Sequence, residues 1–234
     1  MHIFYTPDLS TDLFTLNEEE SRHCSKVLRL GLGDVVHLID GKGGLYEAEI
    51  SAINKKNVQL RVIHKQIEFG KRNHHLHIAI APTKNIDRLE WFLEKATEIG
   101  IDEITPLICD RSERKIVKEE RLDKVITSAV KQSLTAYHPQ LNPAISFADF
   151  MKKQFTVNLL IAHCMDDARK QFINEIVPTH QSYLILIGPE GDFSPTELNS
   201  ALEIGFKPVT LGTTRLRTET AGLAACFEVN YMNR

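Results

Sequence analysis

Short apolar runs alternate with amphipathic helical patterns from residue 77 to residue 231. Residues 77–81 form a compact apolar run, and residues 85–99 place apolar side chains at helical spacing before Gly100. Further strands are predicted at 104–108, 157–162, 183–187 and 209–211. Further helices are predicted at 121–134, 195–204 and 219–231. This alternation predicts an α/β domain with a largely parallel sheet.

The first third of the chain follows a different pattern, rich in short strands. The predicted elements are strands at 35–39, 45–53 and 58–62 and turns at 40–44 and 54–57. Asn17 is placed to cap a helix that runs towards Leu30. A polar cluster at 69–74 is typical of a linker. We therefore predict two domains, a β-rich one at 1–70 and an α/β one at 71–234.

The composition limits the class of protein. A hydrophobic content of 42% and a charged content of 25% are typical of a globular chain, and the net charge of −3 argues against unspecific coating of nucleic acid. The sequence has no signal-peptide pattern and no apolar stretch near the ~20 residues of a membrane helix, so we expect a cytoplasmic protein with no membrane partner. No Cys-x-x-Cys pair is present, so no metal is expected. The cysteines are Cys24, Cys109, Cys164 and Cys226.

Three glycine-bearing turns lie close together near the end of the chain. The first, at 188–191, follows the predicted strand 183–187, the second contains Leu211 and Gly212, and the third, at 216–222, runs into the last helix. Ligands of open α/β sheets bind beyond the carboxyl ends of the strands. A single such turn is more often only a turn, but three together favour a ligand site. P-loop, dinucleotide-binding and Gly-x-Ser-x-Gly motifs are absent, so the residues alone leave the ligand open.

The same segment resembles a known family of RNA-modifying enzymes. Residues 187–194, 211–212 and 216–221 are similar to the motifs of the ribosomal RNA small subunit methyltransferase E family, which are uridine-N3 methyltransferases of the SPOUT class. The resemblance extends over the whole chain. Its other parts are residues 27–30, Gly33, Asp34, Asp40 and Gly41 near the N-terminus, then Lys84, Glu90, residues 95–101, Pro106, Gln132, Ser133 and Pro139.

The resemblance implies a fold and a reaction. The fold would be an N-terminal PUA-like RNA-binding β-barrel followed by a SPOUT-type α/β domain whose C-terminal chain forms a deep trefoil knot. The protein would be a homodimer that uses S-adenosylmethionine to methylate N3 of uridine 1498 in the 16S ribosomal RNA of the small subunit. The residues implied in cofactor binding are Gly188, Glu190, Gly191, Leu211, Gly212, Leu216, Arg217 and Thr220.

Three charged residues are candidates for the chemistry. The uracil N3 must lose its proton, and a positive group near the carbonyl oxygens would stabilise the resulting anion. Arg217 is the candidate for that group, and Glu190 or Glu219 could accept the proton. An alternative is that Arg217 only forms a salt bridge with one of these carboxylates, and that Glu219 only favours the start of the last helix.

RNA contacts are predicted for three groups of cations, although a charge run is often only a solvated face. One group is spaced as on a helix, one lies in the linker, and one lies between the first two predicted helices of the α/β domain. These residues are Arg22, Lys26 and Arg29, then Lys71 and Arg72, and then Arg111, Arg114 and Lys115.

The chain departs from the family pattern at several positions. Asp192 stands where a second glycine is common, Arg215 lies one place after the usual arginine, and Lys131 precedes Gln132 where glutamate is usual. Two alternatives therefore stay open. One is a non-catalytic RNA-binding or ribosome assembly factor, and the other is a SPOUT methyltransferase that acts on another RNA, such as transfer RNA.

Overall fold

The computed structural model describes residues 2–54 and 57–234 and divides the chain into two compact units. The first unit contains the chain up to Lys71 together with Val130–His138, and the second contains Arg72–Ala129 and Pro139–Arg234. The sequence placed Val130–His138 in the second domain. The structure groups it with the first because Gly43 N donates to Ala136 O at 2.9 Å, a pairing between distant residues that no local pattern reveals.

The first unit is built on a five-stranded sheet. The strands are β1 (Ile3–Tyr5), β2 (Leu13–Thr15), β3 (Val35–Ile39), β4 (Leu45–Ile53) and β5 (Val58–Gln66). Their order is β1-β3-β4-β5-β2, with β1 parallel to β3 and the other pairs antiparallel. Alternate side chains such as Ala48 and Ile50 enter the core because successive residues of a strand face opposite sides. The middle of the predicted turn at 54–57 lies outside the described residues.

The early helix begins as predicted but does not continue as an α-helix. Helix α1 (Glu18–Arg22) is capped by Asn17, whose Oδ1 accepts from Glu20 N at 2.8 Å. A π-helical turn at His23–Val27 follows, and Arg29 has a left-handed φ of 57°. A π-turn is wider than an α-turn, so the expected helical spacing of Arg22, Lys26 and Arg29 on one element was wrong.

The second unit contains the predicted parallel sheet. Its strands are β6 (His75–Ile80), β7 (Glu103–Ile108), β8 (Gln140–Leu141), β9 (Ile145–Ser146), β10 (Asn158–Ala162), β11 (Ser182–Ile187) and β12 (Lys207–Val209). The order is β12-β10-β11-β6-β7-β8, β9 pairs with β7, and all pairs are parallel. The last strand was predicted at 209–211. It pairs with β10 only over Lys207–Val209, because β10 itself ends at Ala162, so Leu211 belongs to the following loop.

Helices complete the second unit, although the last residues of one of them, from Val130, belong to the first unit. They are α2 (Ile86–Ile99), α3 (Glu119–Ser133), α4 (Phe147–Phe150), α5 (Ile173–Ile176), α6 (Pro195–Glu203) and α7 (Thr218–Met232). Helix α7 packs on α2 at Gly222, where an added Cβ would lie 2.7 Å from Phe92 Cε2 and 2.9 Å from Ile80 Cδ1. This close approach fixes the start of α7 near the ends of the strands. In residues 2–54 and 57–234, no helix is long and apolar enough to span a membrane.

Candidate functional site

A cavity of about 580 Å³ opens beyond the carboxyl ends of β10, β11 and β12, and we refer to it as the first cavity. These strands are neighbours in the parallel sheet, so the loops that follow them converge at one edge. The end of β10 and the loop after it contribute residues 162–165, and the loop after β11 contributes Gly191 and Asp192. The end of β12 and the loop after it contribute residues 209–216. Sequence reasoning placed a ligand site in this region.

The structure brings four of the eight predicted cofactor residues to the first cavity. They are Gly191, Leu211, Gly212 and Leu216. Gly188 lies behind the wall, where its carbonyl oxygen accepts from Thr218 Oγ1 at 3.0 Å and ties α7 to the end of β11. Glu190, Arg217 and Thr220 line two neighbouring cavities instead. The predicted cofactor-binding residues therefore line three different cavities and not one.

Gly191 and Gly212 meet different local demands. Gly212 has a φ of 129°, which other residues rarely adopt, and an added Cβ would meet no atom within 4 Å. At Gly191 an added Cβ would lie 3.3 Å from Arg111 Cβ, while Arg111 Nη1 donates to the Gly191 carbonyl at 3.0 Å. The Arg111 guanidinium thus holds the loop that forms one wall of the first cavity.

Asp192, where the family pattern often has glycine, adopts a left-handed backbone conformation. Its φ is 63°, in the left-handed region that Asp tolerates better than most residues. Its Oδ2 accepts from Cys164 N and its Oδ1 accepts from Phe193 N, both at 2.9 Å. The carboxylate therefore links the loop after β11 to the loop after β10.

His163 is a lining residue that sequence reasoning missed. Its side chain is fully buried, both ring nitrogens lack a hydrogen-bond partner, and Nε2 lies 3.7 Å from Asp167 Oδ2. Burial, assisted by the charge of Lys170, lowers the pKa of His163. The neutral imidazole is therefore buried behind the lining of the first cavity, and the exposed 8% of His163 belongs to its backbone. The sequence feature that could have identified His163 is its position directly after the apolar strand β10.

A second cavity, of about 550 Å³, adjoins the first and shares Arg215 and Leu216 with it. Helix α2 contributes Asp87, Arg88 and Trp91, and the start of α7 contributes Glu219 and Thr220, with Arg217 just before it. Two cavities that share a wall can hold two reactants side by side.

Glu219 is the buried carboxylate of the second cavity. Its side chain is 8% exposed, its Oε1 lies 3.8 Å from Arg88 Nε, and its Oε2 has no hydrogen-bond partner. The alternative in which Arg217 pairs with Glu190 or Glu219 is not seen among the described residues. Arg217 is exposed and forms the N-cap position of α7, so Arg88, which sequence reasoning missed, is the cation beside Glu219.

Glu190 lies in a third cavity, of about 370 Å³, which Arg88 also lines. Its Oε1 accepts from Lys84 N at 2.9 Å, and its Oε2 is buried without a partner. Arg114 donates to Thr83 O at 3.1 Å and to Lys84 O at 2.8 Å on the same segment. Arg88 therefore stands between two carboxylates that each keep an unsatisfied oxygen.

The predicted RNA-binding cations are not equivalent in the structure. Arg72 is 21% exposed and pairs with Asp102, which also accepts from Leu76 N at 2.7 Å. We therefore reassign Arg72 from RNA contact to a structural role. Lys71 is exposed but pairs with Glu68. Arg111 and Arg114 donate to backbone carbonyls. No side-chain partner is seen within the described residues for four exposed cations, Arg22, Lys26, Arg29 and Lys115.

Comparison with known proteins places the chain in a family. The RNA methyltransferase domain family matches residues 71–230, and the RNA methyltransferase PUA domain family matches residues 16–63. Ribosomal RNA small subunit methyltransferase E of Rickettsia conorii is 30% identical, over 92% of this chain and 88% of its own length. The chain therefore belongs to the RNA methyltransferase family, in the group named ribosomal RNA small subunit methyltransferase E.

Solved structures give the same grouping. A protein of Porphyromonas gingivalis described as a probable rRNA-methyltransferase has 40% identity and a TM-score of 0.91, with 100% of this chain and 98% of that chain covered. Ribosomal RNA small subunit methyltransferase E of Neisseria gonorrhoeae, bound to S-adenosyl methionine, has 27% identity and a TM-score of 0.85, with 97% and 95% covered.

Proposed function

We propose that this protein is an S-adenosylmethionine-dependent methyltransferase that modifies N3 of a uridine in 16S ribosomal RNA, at position 1498 in the usual numbering. The observation that carries the proposal is the shared wall of the first and second cavities. One cavity is lined by glycine-bearing loops at strand ends, and the other holds a buried carboxylate beside arginines. The cofactor and the target nucleobase can thus lie next to each other.

The residues of the first cavity fit S-adenosylmethionine. Leu211, Leu216 and Val209 offer apolar contacts to an adenosine, and Gly212 leaves open space beside the backbone. The cofactor supplies an electrophilic methyl group, so the protein has to supply position and electrostatics.

The second cavity contains a proton acceptor and a cation, the two groups that deprotonation of uracil N3 requires. The Oε2 of Glu219 is a buried acceptor without a partner, suited to take the proton that leaves N3. We propose that Arg217, which lines the same cavity, stabilises the negative charge that then spreads onto the carbonyl oxygens. Glu190, in the third cavity, is the second candidate acceptor.

RNA binding is assigned to both units. The first unit matches a PUA domain family and exposes Arg22, Lys26 and Arg29, while Lys115 is exposed on the second. Few free cations and a net charge of −3 imply modest, salt-sensitive affinity for RNA alone. A folded ribosomal subunit would add recognition of shape, so we propose the small subunit as the partner and the cytoplasm as the compartment.

Three further features are proposed from the family resemblance. We propose that the first unit closes into a PUA-like barrel, that the C-terminal segment forms a deep trefoil knot, and that the protein is a homodimer. Support for the dimer comes from α7, where Phe227 and Tyr231 are 52% and 60% exposed and stack at 6.0 Å. Such large apolar surfaces are typical of protein interfaces.

The test uses cofactor labelled on the transferable methyl group. Small ribosomal subunits from cells that lack this protein, free 16S RNA and transfer RNA are incubated with the protein, and the labelled nucleotides are identified by mass spectrometry. We expect 3-methyluridine in the small subunit. Label confined to transfer RNA would select another substrate. No calorimetric binding of S-adenosylmethionine would reject the enzyme in favour of the assembly factor.

A further inference from the structure

The second cavity contains a polar pair whose hydrogen-bonding capacity is not used within the chain. Arg88 Nε lies 3.8 Å from Glu219 Oε1, which is beyond the length of a hydrogen bond. No hydrogen bond from the Arg88 guanidinium is found in the described part of the chain, and its side chain is 41% exposed. The pair therefore presents free donors next to a buried free acceptor, Glu219 Oε2.

This donor and acceptor pattern complements one edge of uracil. That edge carries a carbonyl oxygen, the N3–H donor and a second carbonyl oxygen. A guanidinium can only donate and a carboxylate can only accept, so Arg88 suits a carbonyl and Glu219 suits N3–H. Cytosine keeps the carbonyl at C2 but has an amino donor at C4 and an unprotonated N3, so Arg88 distinguishes the two bases by facing C4. Donor would then face donor at Arg88, and acceptor would face acceptor at Glu219.

Trp91 supplies an aromatic surface at the same cavity. It is the only tryptophan of the chain, it is 45% exposed, and it lies three residues after Arg88, on the same face of α2. Unpaired bases are commonly held by stacking on aromatic side chains, while hydrogen bonds at their edges provide sequence specificity. A stacking surface and an edge-reading pair therefore meet in one space.

We propose that Arg88 and Glu219 select uracil by reading its imide edge while Trp91 stacks on the base. This inference rests on the proposed function and adds a base-recognition role to residues of α2. Arg88 discriminates between bases, Trp91 provides sequence-independent affinity, and Glu219 both recognises N3–H and receives its proton.

The fluorescence of Trp91 gives a direct test, because no other tryptophan contributes to the signal. The full-length protein with S-adenosylhomocysteine is titrated with hexauridylate and with hexacytidylate, and the tryptophan emission is recorded. We expect quenching at concentrations about tenfold lower for hexauridylate. Equal quenching by both oligonucleotides would overturn the proposal. So would the absence of quenching by either one from a protein that methylates small subunits.

Two variants separate recognition from structure. Arg88→Lys keeps the positive charge beside Glu219 but loses the planar donor fork, so we expect a normal melting temperature and no preference for hexauridylate. Arg121→Ala is the matched control. Arg121 lies on α3 and pairs with Asp87 and Glu90 of α2, the helix that carries Arg88, but it does not line the second cavity. An Arg88→Lys protein that keeps the wild-type preference contradicts the proposal.

Trp91 is tested by transfer to small ribosomal subunits. Trp91→Ala should raise KM for the subunits about tenfold without changing calorimetric S-adenosylmethionine affinity, and Trp91→Phe should restore most of the loss. A Trp91→Ala protein that becomes monomeric in light scattering would assign Trp91 to a dimer contact instead. Uridine-selective quenching without any methyl transfer would reject the proposed function but keep this inference, and the reverse result would reject only the inference.

Discussion

Asp192 Oδ2 accepts a hydrogen bond from Cys164 N at 2.9 Å and thereby joins two loops that follow neighbouring parallel strands. The second oxygen accepts from Phe193 N, so the carboxylate is held on both sides. Because Asp192 has a φ of 63°, the position demands both a left-handed backbone and an acceptor.

We therefore expect Asp192→Ala to destabilise the protein by about 2 kcal/mol or more. Alanine is strained in the left-handed region, and the Cys164 and Phe193 amides lose their acceptor. Asp192→Asn keeps a residue that tolerates this backbone and an acceptor oxygen, so its loss should be smaller. Urea unfolding measures both, with Asp166→Ala, an exposed neighbour, as the control. An Asp192→Ala protein of wild-type stability would show that the loop link contributes nothing.

Arg217→Ala should reduce turnover far more than it weakens cofactor binding. Arg217 lines the second cavity and is absent from the lining of the first, and removal of a donor to a developing anion costs about a hundredfold in rate. Single-turnover transfer to small subunits gives the rate, and calorimetry gives the S-adenosylmethionine affinity. Arg217→Lys should lie between the two proteins. Near-normal turnover in Arg217→Ala would remove Arg217 from the chemistry.

Local sequence signals were sufficient for most elements of the second unit. Asn85 and Gly100 bound α2 as predicted, because a cap and a terminating glycine act within a few residues. The limits of β12 were two residues off, because only pairing with β10 determines where that strand ends. The π-helical turn at His23–Val27 and the placement of Val130–His138 likewise depend on distant contacts.

The candidate site shows the same division. The positions of the glycine-bearing turns after apolar strands predicted a ligand site here, and the family resemblance added Gly191, Gly212 and Leu216, which line the first cavity. Arg88 could not, because it reaches Glu219 only through the packing of α2 on α7. Charge alone also suggested Arg72 as an RNA contact, whereas its partner Asp102 lies 30 residues away in sequence.

Packing at Gly222 predicts that a single methyl group destabilises the helix pair. Gly222→Ala would gain about 1 kcal/mol of helix propensity, but its Cβ would lie 2.7 Å from Phe92 Cε2 in a filled core. We expect a net loss of about 1 kcal/mol or more in the free energy of unfolding. Gly31→Ala is the control, since the nearest atom to its added Cβ is 3.9 Å away. A stabilised Gly222→Ala protein would mean that α2 and α7 can separate without cost.

The lowered pKa of His77 makes the stability of the folded protein depend on pH. Burial lowers its pKa from 6.5 to about 4, reinforced by His75 and Lys153, while Glu103, 3.7 Å away, acts in the opposite direction.

The unfolded chain therefore binds a proton at His77 that the folded protein resists. Stability is lost as the pH falls from about 6.5 to about 4, by at most about 3 kcal/mol. His77→Gln cannot take up this proton, and its amide can still bond Thr105 Oγ1, the partner of His77 Nε2 at 2.8 Å. Urea unfolding over this pH range should give a shallower slope for His77→Gln than for wild type. The control His64→Gln, at an exposed position, should show the same pH dependence as the wild type. If the free energy of unfolding fell equally with pH in all three proteins, His77 would not be the cause of the loss of stability at low pH.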